Sequence, residues 1–341
     1  MQVGDSLGHL YPVIDQNTCI DCGLCEKTCP ANHPVIKNDT ITAFAGWDKN
    51  VEEYTSSTSG GAASAIGRYI IRQGGVVYGC SMQPGIKVSH IRVTSEDDLY
   101  KLKGSKYVQS TVGSAYKDAI TDLKAGKKVL FIGTPCQVAV MKKISNKYAE
   151  HLYTIDLICH GVPSLKYLQQ HAAKMIGGDI KDVIAKFRDS NNMYLLLLLL
   201  LPDGSYKELY RSNLWKERYK DTYYNAFIDG FTYRNSCHNC YYADSKRCSD
   251  LTVGDFWGLG AEAPFNIDHS NGCSVLLPLT ERGIELINGI RQEFNLYERT
   301  VSEAVTGNDQ LRKPCIVNRR ISIFAKLHKL IGINLAYKLC T

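Results

Sequence analysis

The sequence predicts an α/β fold built on a mixed sheet, preceded by a small Cys-rich segment. From about residue 46 onward, helical segments alternate with short apolar strands, which is typical of a sheet that binds ligands near its strand ends. Residues 1–45 hold four cysteines and are too short to form a large core of their own. We therefore predict a partial ferredoxin-type segment at 1–45, a main domain at 46–300 and a basic tail at 301–341.

The first half of the main domain alternates between helices and strands. Ser59-Gly60-Gly61 precedes a helix predicted at 62–73, and a Gly-Gly pair separates it from a strand at 76–80. Ser95 followed by Asp98 resembles a capping box and predicts a short helix that ends near 103. A helix at 114–124 leads to strands at 129–132 and 153–158, with another helix between them.

The second half is richer in strands. Segments 194–201 and 205–210 flank Pro202-Asp203-Gly204, a turn sequence, so we predict a β-hairpin. Seven successive leucines at 195–201 lack the alternation of a half-exposed strand, so both of its faces should be covered. A helix is the alternative, but the run is short and ends at a proline.

The composition is that of an ordinary globular protein, with 44% hydrophobic and 22% charged residues. We find no apolar run near the roughly 20 residues of a membrane span, and no signal peptide at 1–15. The net charge of +6 is uneven, because the chain from Arg312 onward has seven Lys or Arg and no Asp or Glu. Without a recognisable reading module, this charge does not predict nucleic-acid binding. We expect a cytoplasmic protein with reduced thiols.

The N-terminal cysteines have the spacing of a ferredoxin. Cys19, Cys22, Cys25 and Cys29, followed by Pro30, match the bacterial pattern for 4Fe-4S ligands. In two-cluster ferredoxins the fourth cysteine of each motif binds the other cluster, and this chain has one motif. Either Cys29 completes a single cluster, or half of a ferredoxin domain is missing.

A second cysteine group lies farther along the chain. Cys237 and Cys240 are two residues apart, with Cys248 nearby, so a four-ligand site needs thiols from elsewhere. Cys136 and Cys159 each follow an apolar strand and should emerge at the same sheet edge. Zinc is the alternative, since it also accepts thiolates. Cys80, Cys273, Cys315 and Cys340 stand alone and are expected to be core or surface residues.

Two glycine-containing segments are candidates for binding phosphates. Ser59-Gly60-Gly61 before a helix would let the backbone approach an anion. Gly104-Ser105-Lys106-Tyr107 offers a cation and an aromatic ring for a phosphate or a planar cofactor, although a solvated loop is the simpler interpretation. A Cys159–His160 nucleophile pair is disfavoured, because adjacent residues at a strand end point to opposite sides.

The basic tail predicts an amphipathic helix over 319–335. Ile321, Phe324, Leu327, Ile331 and Leu335 lie near one helical face. This face could meet a membrane surface, pack on its own domain or bind a partner.

In order, these motifs resemble the family of coenzyme F420 hydrogenase/dehydrogenase beta subunits, whose relatives include hydroxymethyl chlorophyll reductase. The matching segments are Cys-Ile-Asp-Cys-Gly-Leu-Cys at 19–25, Ser-Gly-Gly at 59–61, Gly-Ser-Lys-Tyr-Val-Gln-Ser at 104–110, Gly-Thr-Pro-Cys-Gln at 133–137, Cys-His-Gly at 159–161 and the stretch from Cys-His-Asn-Cys to Gly-Asp-Phe-Trp-Gly at 237–258. The resemblance extends to about residue 300. The N-terminal motif departs from fuller members, which have two cysteine motifs.

The resemblance implies a flavin-binding domain and an iron–sulfur flavoprotein. FAD would be held by Ser59, Gly60, Gly61, Gly104, Ser105, Lys106, Tyr107, Gly133, Thr134 and Pro135. Cluster ligands would be Cys136, Cys159, Cys237 and Cys240, with Cys248 outside the pattern. The implied reaction transfers a hydride to or from the flavin, with coenzyme F420 as a candidate substrate, and single electrons to 4Fe-4S clusters.

Three functions follow as hypotheses. The first is an FAD- and iron–sulfur-dependent oxidoreductase with a redox partner protein or ferredoxin, whose donor, acceptor and catalytic residues stay unassigned. The second is an electron carrier or adaptor for a partner enzyme, including one in polysaccharide biosynthesis. The third is a zinc-stabilised binding protein without redox chemistry.

Overall fold

The computed structural model describes residues 2–189, 192–217 and 220–341, which form strands, α-helices and short 3-10 helices. The strands are β1 (Gln2–Gly4), β2 (Leu10–Pro12), β3 (Ala43–Asp48), β4 (Val76–Gln83), β5 (Lys87–Val93), β6 (Val129–Gly133), β7 (Leu152–Leu157), β8 (Val183–Arg188), β9 (Met193–Leu200), β10 (Tyr206–Asn213), β11 (Leu251–Asp255), β12 (Ser274–Pro278) and β13 (Phe294–Arg299).

The α-helices are α1 (Leu24–Thr28), α2 (Val51–Thr55), α3 (Ala62–Arg72), α4 (Ala115–Lys124), α5 (Pro135–Ile144), α6 (Leu165–Ile176), α7 (Thr222–Ile228), α8 (Glu281–Ile290), α9 (Val301–Thr306), α10 (Arg319–Ile331) and α11 (Ile333–Cys340). The 3-10 helices are Glu96–Leu102, Asn146–His151, Asn235–Asn239 and Asp309–Leu311. None of the described helices is long and apolar enough to cross a membrane.

The main sheet confirms the predicted mixed α/β class. Its eight strands run in the order β13-β3-β12-β11-β7-β6-β4-β5. Neighbours among β4, β6, β7 and β11 are parallel, and the other pairs are antiparallel. The chain crosses the sheet from β3 to β4 in one direction and returns from β4 through β6 and β7 to β11 in the other, and helices cover both faces.

The two faces of this sheet bury different side chains. Val77, Leu130 and Ile155 pack with α3 and α8 on one face. Tyr78 and Phe131, each one residue along from those positions, pack with α4 and α5 on the other. Because both faces are covered, the central strands read as continuous apolar runs in the sequence.

A second, antiparallel sheet has the order β10-β9-β8. It confirms the predicted hairpin, since β9 and β10 pair around the Pro-Asp-Gly turn. Leu195 and Leu197 enter one core cluster while Leu196 and Leu198 enter another. The leucine run is therefore a strand that is covered on both faces, as its lack of alternation indicates.

The short helix predicted after Ser95 is a 3-10 helix. The Ser95 side chain accepts a hydrogen bond from the Asp97 N–H at 3.3 Å, one residue before the expected Asp98. The element ends at Leu102, close to the predicted end. The sequence thus predicted the Ser95 cap but not that the helix would be a 3-10 helix.

The tail is two helices rather than the single amphipathic helix predicted over 319–335. Gly332 separates α10 from α11 with a φ of +79°, a conformation that other residues rarely adopt. Phe324 and Tyr337 pack edge-on against Phe231, with ring centroids 5.2 and 5.4 Å apart. Part of the predicted apolar face therefore packs on the chain's own domain.

Candidate functional site

The carboxyl edge of the main sheet collects the predicted binding segments. Gly133, at the end of β6, pairs in register with Asp156 near the end of the parallel strand β7. Cys136 follows the first strand and Cys159 the second, so both leave the sheet at the same edge, as expected from their positions. The Ser59-Gly60-Gly61 loop reaches this edge too, where Ser274 at the start of β12 donates a hydrogen bond to Ser59 at 3.4 Å.

Four cysteine thiols converge at this edge from three separate loops. Besides burial, the nearby charges of Cys237, Cys136 and Cys240 all raise the pKa of Cys159. The charges of Cys136 and Cys240 likewise raise the pKa of Cys237. The structure thus brings together the four cysteines that the family resemblance implies, across about a hundred residues of sequence.

Burial raises the pKa of the Cys136, Cys159 and Cys237 thiols. The pKa of Cys237 rises to about 12, first because of burial and then because of Cys136 and Cys240, although the Val162 backbone opposes the shift. Burial also raises the pKa of Cys136 and Cys159. Without a cation, several thiolates at this place would repel one another in a poorly solvated environment. A group of neighbouring thiols that would repel one another when ionised therefore fits a positively charged iron–sulfur core.

The spacing of the thiols bears on the zinc alternative. All thirteen cysteines of the chain are free of disulfides. In the described ranges, no three His, Cys, Asp or Glu side chains form a site for a single metal ion. Cys136 is exposed to solvent, whereas Cys159, Cys237 and Cys240 are half-buried.

The loops are held together by backbone contacts. The Cys237 N–H donates to the Arg234 carbonyl at 2.8 Å, and the Arg234 N–H donates to the Val162 carbonyl at 3.0 Å. Gly161, between the two loops, has a φ of +134°, and a Cβ there would lie 2.7 Å from the Tyr233 ring. A glycine is therefore required at position 161, because any side chain there would clash with the Tyr233 ring.

Sequence reasoning missed a buried ion pair beneath this site. Arg247 and Asp156 are almost fully buried, and the guanidinium contacts the carboxylate at 3.2 Å. Thr252 also donates to Asp156, at 2.6 Å. An aspartate in the otherwise apolar strand β7 was the signal that could have revealed the pair.

Cys248 lies beside the four thiols but has its own partner. Its Sγ donates to the Pro135 carbonyl at 3.7 Å, and it is fully buried. Burial, together with the nearby Asp156, raises its pKa to about 12. Cys248 has no part in the family pattern, and the structure gives its thiol a backbone acceptor.

The two predicted phosphate-binding segments, 59–61 and 104–107, meet near the sheet edge. The Thr58 and Ser105 hydroxyls lie 3.2 Å apart and join the Ser-Gly-Gly loop to the Gly-Ser-Lys-Tyr segment. Helix α3 begins after Gly61 without a side-chain cap, so its first N–H groups keep no side-chain acceptor. Gly60 has a structural explanation as well, because a Cβ there would overlap the Gly46 carbonyl oxygen.

Lys106 and Tyr107 are part of the fold rather than of a solvated loop. The Lys106 ammonium donates to the carbonyls of Leu102 and Lys103, both at 2.8 Å, and burial lowers its pKa to about 8. The Tyr107 ring stacks on Phe227 with centroids 5.2 Å apart. The solvated-loop interpretation is therefore wrong for these two residues.

A chain of polar contacts links this segment to the thiols. Gln137 donates to the Ser110 hydroxyl at 2.9 Å and accepts from the Thr134 N–H at 3.0 Å. The Thr134 hydroxyl lies 3.2 Å from Cys136 Sγ. The Gly-Thr-Pro-Cys-Gln motif is thus the bridge between the two candidate sites.

The N-terminal cysteines form a separate place on the surface. Cys19, Cys22 and Cys25 are exposed and Cys29 is half-buried. Helix α1, which carries Cys25, packs against α5, whose second residue is Cys136.

His160 follows Cys159 at the main sheet edge. Burial lowers the pKa of His160, and the nearby charges of Asp255 and Asp309 oppose that shift.

Together, these features define a mixed α/β protein with cysteines collected at the carboxyl edge of its main sheet. The family model for the C terminus of the beta subunit of coenzyme F420 hydrogenase/dehydrogenase matches residues 126–304, and a "4Fe-4S binding domain" model matches residues 10–31. The chain belongs to the family of coenzyme F420 hydrogenase/dehydrogenase beta subunits.

Two curated proteins are similar to this chain. The F subunit of the F(420)H(2) dehydrogenase of Methanosarcina mazei is 22% identical over 41% of this chain and 41% of its own length. The beta subunit of the coenzyme F420 hydrogenase of Methanococcus voltae is 22% identical over 80% of this chain and 89% of its own length. The chain thus spans less than half of the first relative and most of the second.

A solved structure shares the fold. A chain in the F420-reducing [NiFe] hydrogenase complex from Methanosarcina barkeri aligns with a TM-score of 0.51 at 16% identity, covering 80% of this chain and 91% of that one. At this identity the match shows the fold alone.

Proposed function

We propose that this protein is an iron–sulfur flavoprotein that passes electrons between a hydride donor, FAD and 4Fe-4S clusters. The observation that carries the proposal is the convergence of Cys136, Cys159, Cys237 and Cys240 at the sheet edge. A flavin, when bound, converts two-electron into one-electron chemistry, and a cluster carries single electrons. The chain's own contribution is to hold both groups side by side and to shield them.

We assign two sets of cluster ligands. Cys136, Cys159, Cys237 and Cys240 would hold the inner cluster. The N-terminal motif, Cys19 to Cys29, would hold an outer one. Support for a path between them comes from the packing of α1 on α5 and from Lys143, which donates to the His33 carbonyl at 2.6 Å.

We assign FAD to the Ser59–Gly61, Gly104–Tyr107 and Gly133–Pro135 segments. The uncapped start of α3 is suited to a phosphate, because free N–H groups and the helix dipole favour an anion. The hydroxyls of Thr58 and Ser105, which lie 3.2 Å apart, support this assignment because they bring the first two segments together. Lys106 would add positive charge from the second segment.

We propose a deazaflavin as the hydride donor or acceptor. The names of both curated relatives include coenzyme F420 or its reduced form. No catalytic side chain is assigned to the hydride transfer. With thirteen free cysteines, the protein is suited to a reducing compartment, and we propose the cytoplasm.

A partner-dependent electron carrier is the second candidate function. Its specific support is the exposure of apolar side chains within the N-terminal motif, where Ile20 and Leu24 are 85% and 65% exposed. Exposed thiols and aliphatic side chains at one place suit docking of a redox partner, and the two relatives are themselves named as subunits. The partner enzyme in this alternative could act in polysaccharide biosynthesis.

We also propose that the tail contacts an anionic membrane surface. Ile323 and Leu330 share a face of α10 that points away from the domain, as do Leu335 and Leu339 on α11. Exposed Lys and Arg residues flank these side chains, and no acidic residue lies beyond Asp309. Such a stripe of aliphatic side chains between basic ones is typical of interfacial helices.

Anaerobic purification and reconstitution test the main proposal. Flavin, iron and acid-labile sulfide are measured per chain, and reduction is followed with reduced deazaflavin, NAD(P)H and reduced ferredoxin. Flavin and cluster that are both reduced by a hydride donor support the oxidoreductase. Reduction by ferredoxin alone supports the electron carrier, and a colourless protein that contains zinc rejects both.

A further inference from the structure

Tyr242 has a buried hydroxyl that nothing in the described part of the chain accepts. The residue is 4% exposed, and its hydroxyl proton has no acceptor within hydrogen-bond distance. Buried polar groups are nearly always hydrogen-bonded, so an unpaired one in a native fold points to a partner outside the polypeptide. A phenol remains protonated at neutral pH, so the unused capacity is a donor.

Tyr242 lies in a core cluster that also contains cysteines near the candidate inner site. Its ring packs in one cluster with Cys248 and Cys240. Cys248, Cys136 and Cys240 all lie within electrostatic range of the hydroxyl. The backbone N–H of Val35 also approaches the phenol oxygen, but it is a donor and cannot take the hydroxyl proton.

The position of Tyr242 is fixed by its backbone. Arg247 Nη1 donates to the Tyr242 carbonyl at 2.8 Å, and this guanidinium is itself bound to Asp156. The preceding residue shows the contrast. Tyr241 is 48% exposed, and its ring lies 4.1 Å from the Lys37 ammonium. Of two adjacent tyrosines, one is exposed to solvent and the other is buried in the cluster that contains Cys248 and packs against Cys240.

We propose that Tyr242 is a positioning residue whose hydroxyl donates a hydrogen bond to a sulfur atom of the cluster held by Cys136, Cys159, Cys237 and Cys240. This inference rests on the proposed function. A hydrogen bond to a cluster sulfur favours the reduced, more negative state, and thereby raises the reduction potential. Tyr242 would thus set how readily the inner cluster accepts an electron.

The test compares Tyr242→Phe with Tyr241→Phe in the full-length reconstituted protein. Both changes remove one hydroxyl and keep the ring. The variants are made in a Cys22→Ser background, so that the inner cluster gives the main signal. Iron and sulfide are quantified first, and the midpoint potential is then measured by redox titration with electron paramagnetic resonance.

We expect Tyr242→Phe to retain the cluster and to lower its equilibrium constant for reduction about tenfold, which is about 59 mV for one electron. Tyr241→Phe should leave the potential unchanged. A loaded Tyr242→Phe variant with the parent potential overturns the inference while leaving the proposed function intact. A parent protein that binds no cluster after reconstitution overturns the proposed function itself.

A second measurement covers the case in which Tyr242→Phe fails to load. The reduced parent protein is examined by electron–nuclear double resonance in H2O and D2O. We expect a strongly coupled exchangeable proton at the inner cluster. Its absence would overturn the inference without any variant.

Discussion

Arg247 donates to both carboxylate oxygens of Asp156, with Nε–Oδ2 and Nη2–Oδ1 distances of 3.3 and 3.2 Å. The same guanidinium donates to the carbonyls of Leu157 and Tyr242, at 2.6 and 2.8 Å. The Arg247 side chain therefore links the loop after Cys240 to the end of β7, two residues before Cys159. The geometry of the inner site depends on this buried pair.

Replacing Asp156 with Asn should destabilise the fold and loosen the inner site. Arg247 would keep a buried charge without its counter-ion, a loss of about 3–5 kcal/mol. Urea unfolding measures the cost, and iron per reconstituted chain should fall with it. Replacement of both partners by apolar residues should cost less than the single change. As a control, Glu96→Gln breaks an exposed ion pair with Arg72, and an equal cost there would contradict this account.

Replacing Cys240 with Ser should remove the inner cluster and leave the outer one. Serine conserves the volume but provides no thiolate, so about half of the iron of a two-cluster protein should be lost. Iron and sulfide analysis after anaerobic reconstitution measures the result. Cys340→Ser, in the buried core of the tail, is the matched control. Unchanged iron in Cys240→Ser would reject the ligand assignment.

Stability should rise with pH between about 8 and 10.4 because of Lys106, whose pKa burial lowers to about 8. Below this range the lysine is protonated in both the folded and the unfolded chain, so the fold carries the full cost of a buried charge. Within the range only the unfolded chain holds the proton, so the free energy of unfolding increases. Above it, both states are neutral.

Lys106→Met should remove this rise. Urea midpoints at pH 7.5 and 9.5 are compared for the wild type, for Lys106→Met and for the exposed control Lys87→Met. We expect the control to follow the wild type, and the Lys106 variant to gain less stability between the two pH values. Equal gains in all three proteins would show that the Lys106 ammonium is not buried in solution.

Adding a charge to the exposed face of the tail should weaken membrane binding. Leu330 and Leu339 are 82% and 66% exposed, so their replacement by Glu removes apolar contact without disturbing the core. Vesicles that contain phosphatidylserine should sediment the wild type and release the double variant. Val51→Glu changes a 70% exposed residue on α2 and should bind like the wild type. Equal binding to neutral phosphatidylcholine vesicles would contradict the role of charge.

The sequence was sufficient for the elements whose pattern is local. The hairpin followed from Pro202-Asp203-Gly204, because that turn chemistry needs no tertiary contact. The sheet edge followed from Cys136 and Cys159, since parallel strands bring their ends together. In each case, the residues that determine the structure are close in sequence or related by a general rule of topology.

Features that depend on tertiary contacts could not be predicted. Tyr241 and Tyr242 are identical in type and adjacent, yet the fold exposes one and buries the other. The partner of Arg247 is Asp156, about ninety residues away, and no local pattern connects them. Gly60 resembled a phosphate loop, and its contact with the Gly46 carbonyl became visible only with the strands in place.

The inner thiols come from loops that are far apart in sequence, whereas the N-terminal thiols of Cys19 to Cys29 lie within a single short stretch. The outer set can therefore assemble as soon as this stretch leaves the ribosome. The inner set exists only after β6, β7 and the Cys237–Cys240 loop have come together. If both sets bind clusters, only the inner one requires that strands and loops far apart in sequence have already come together.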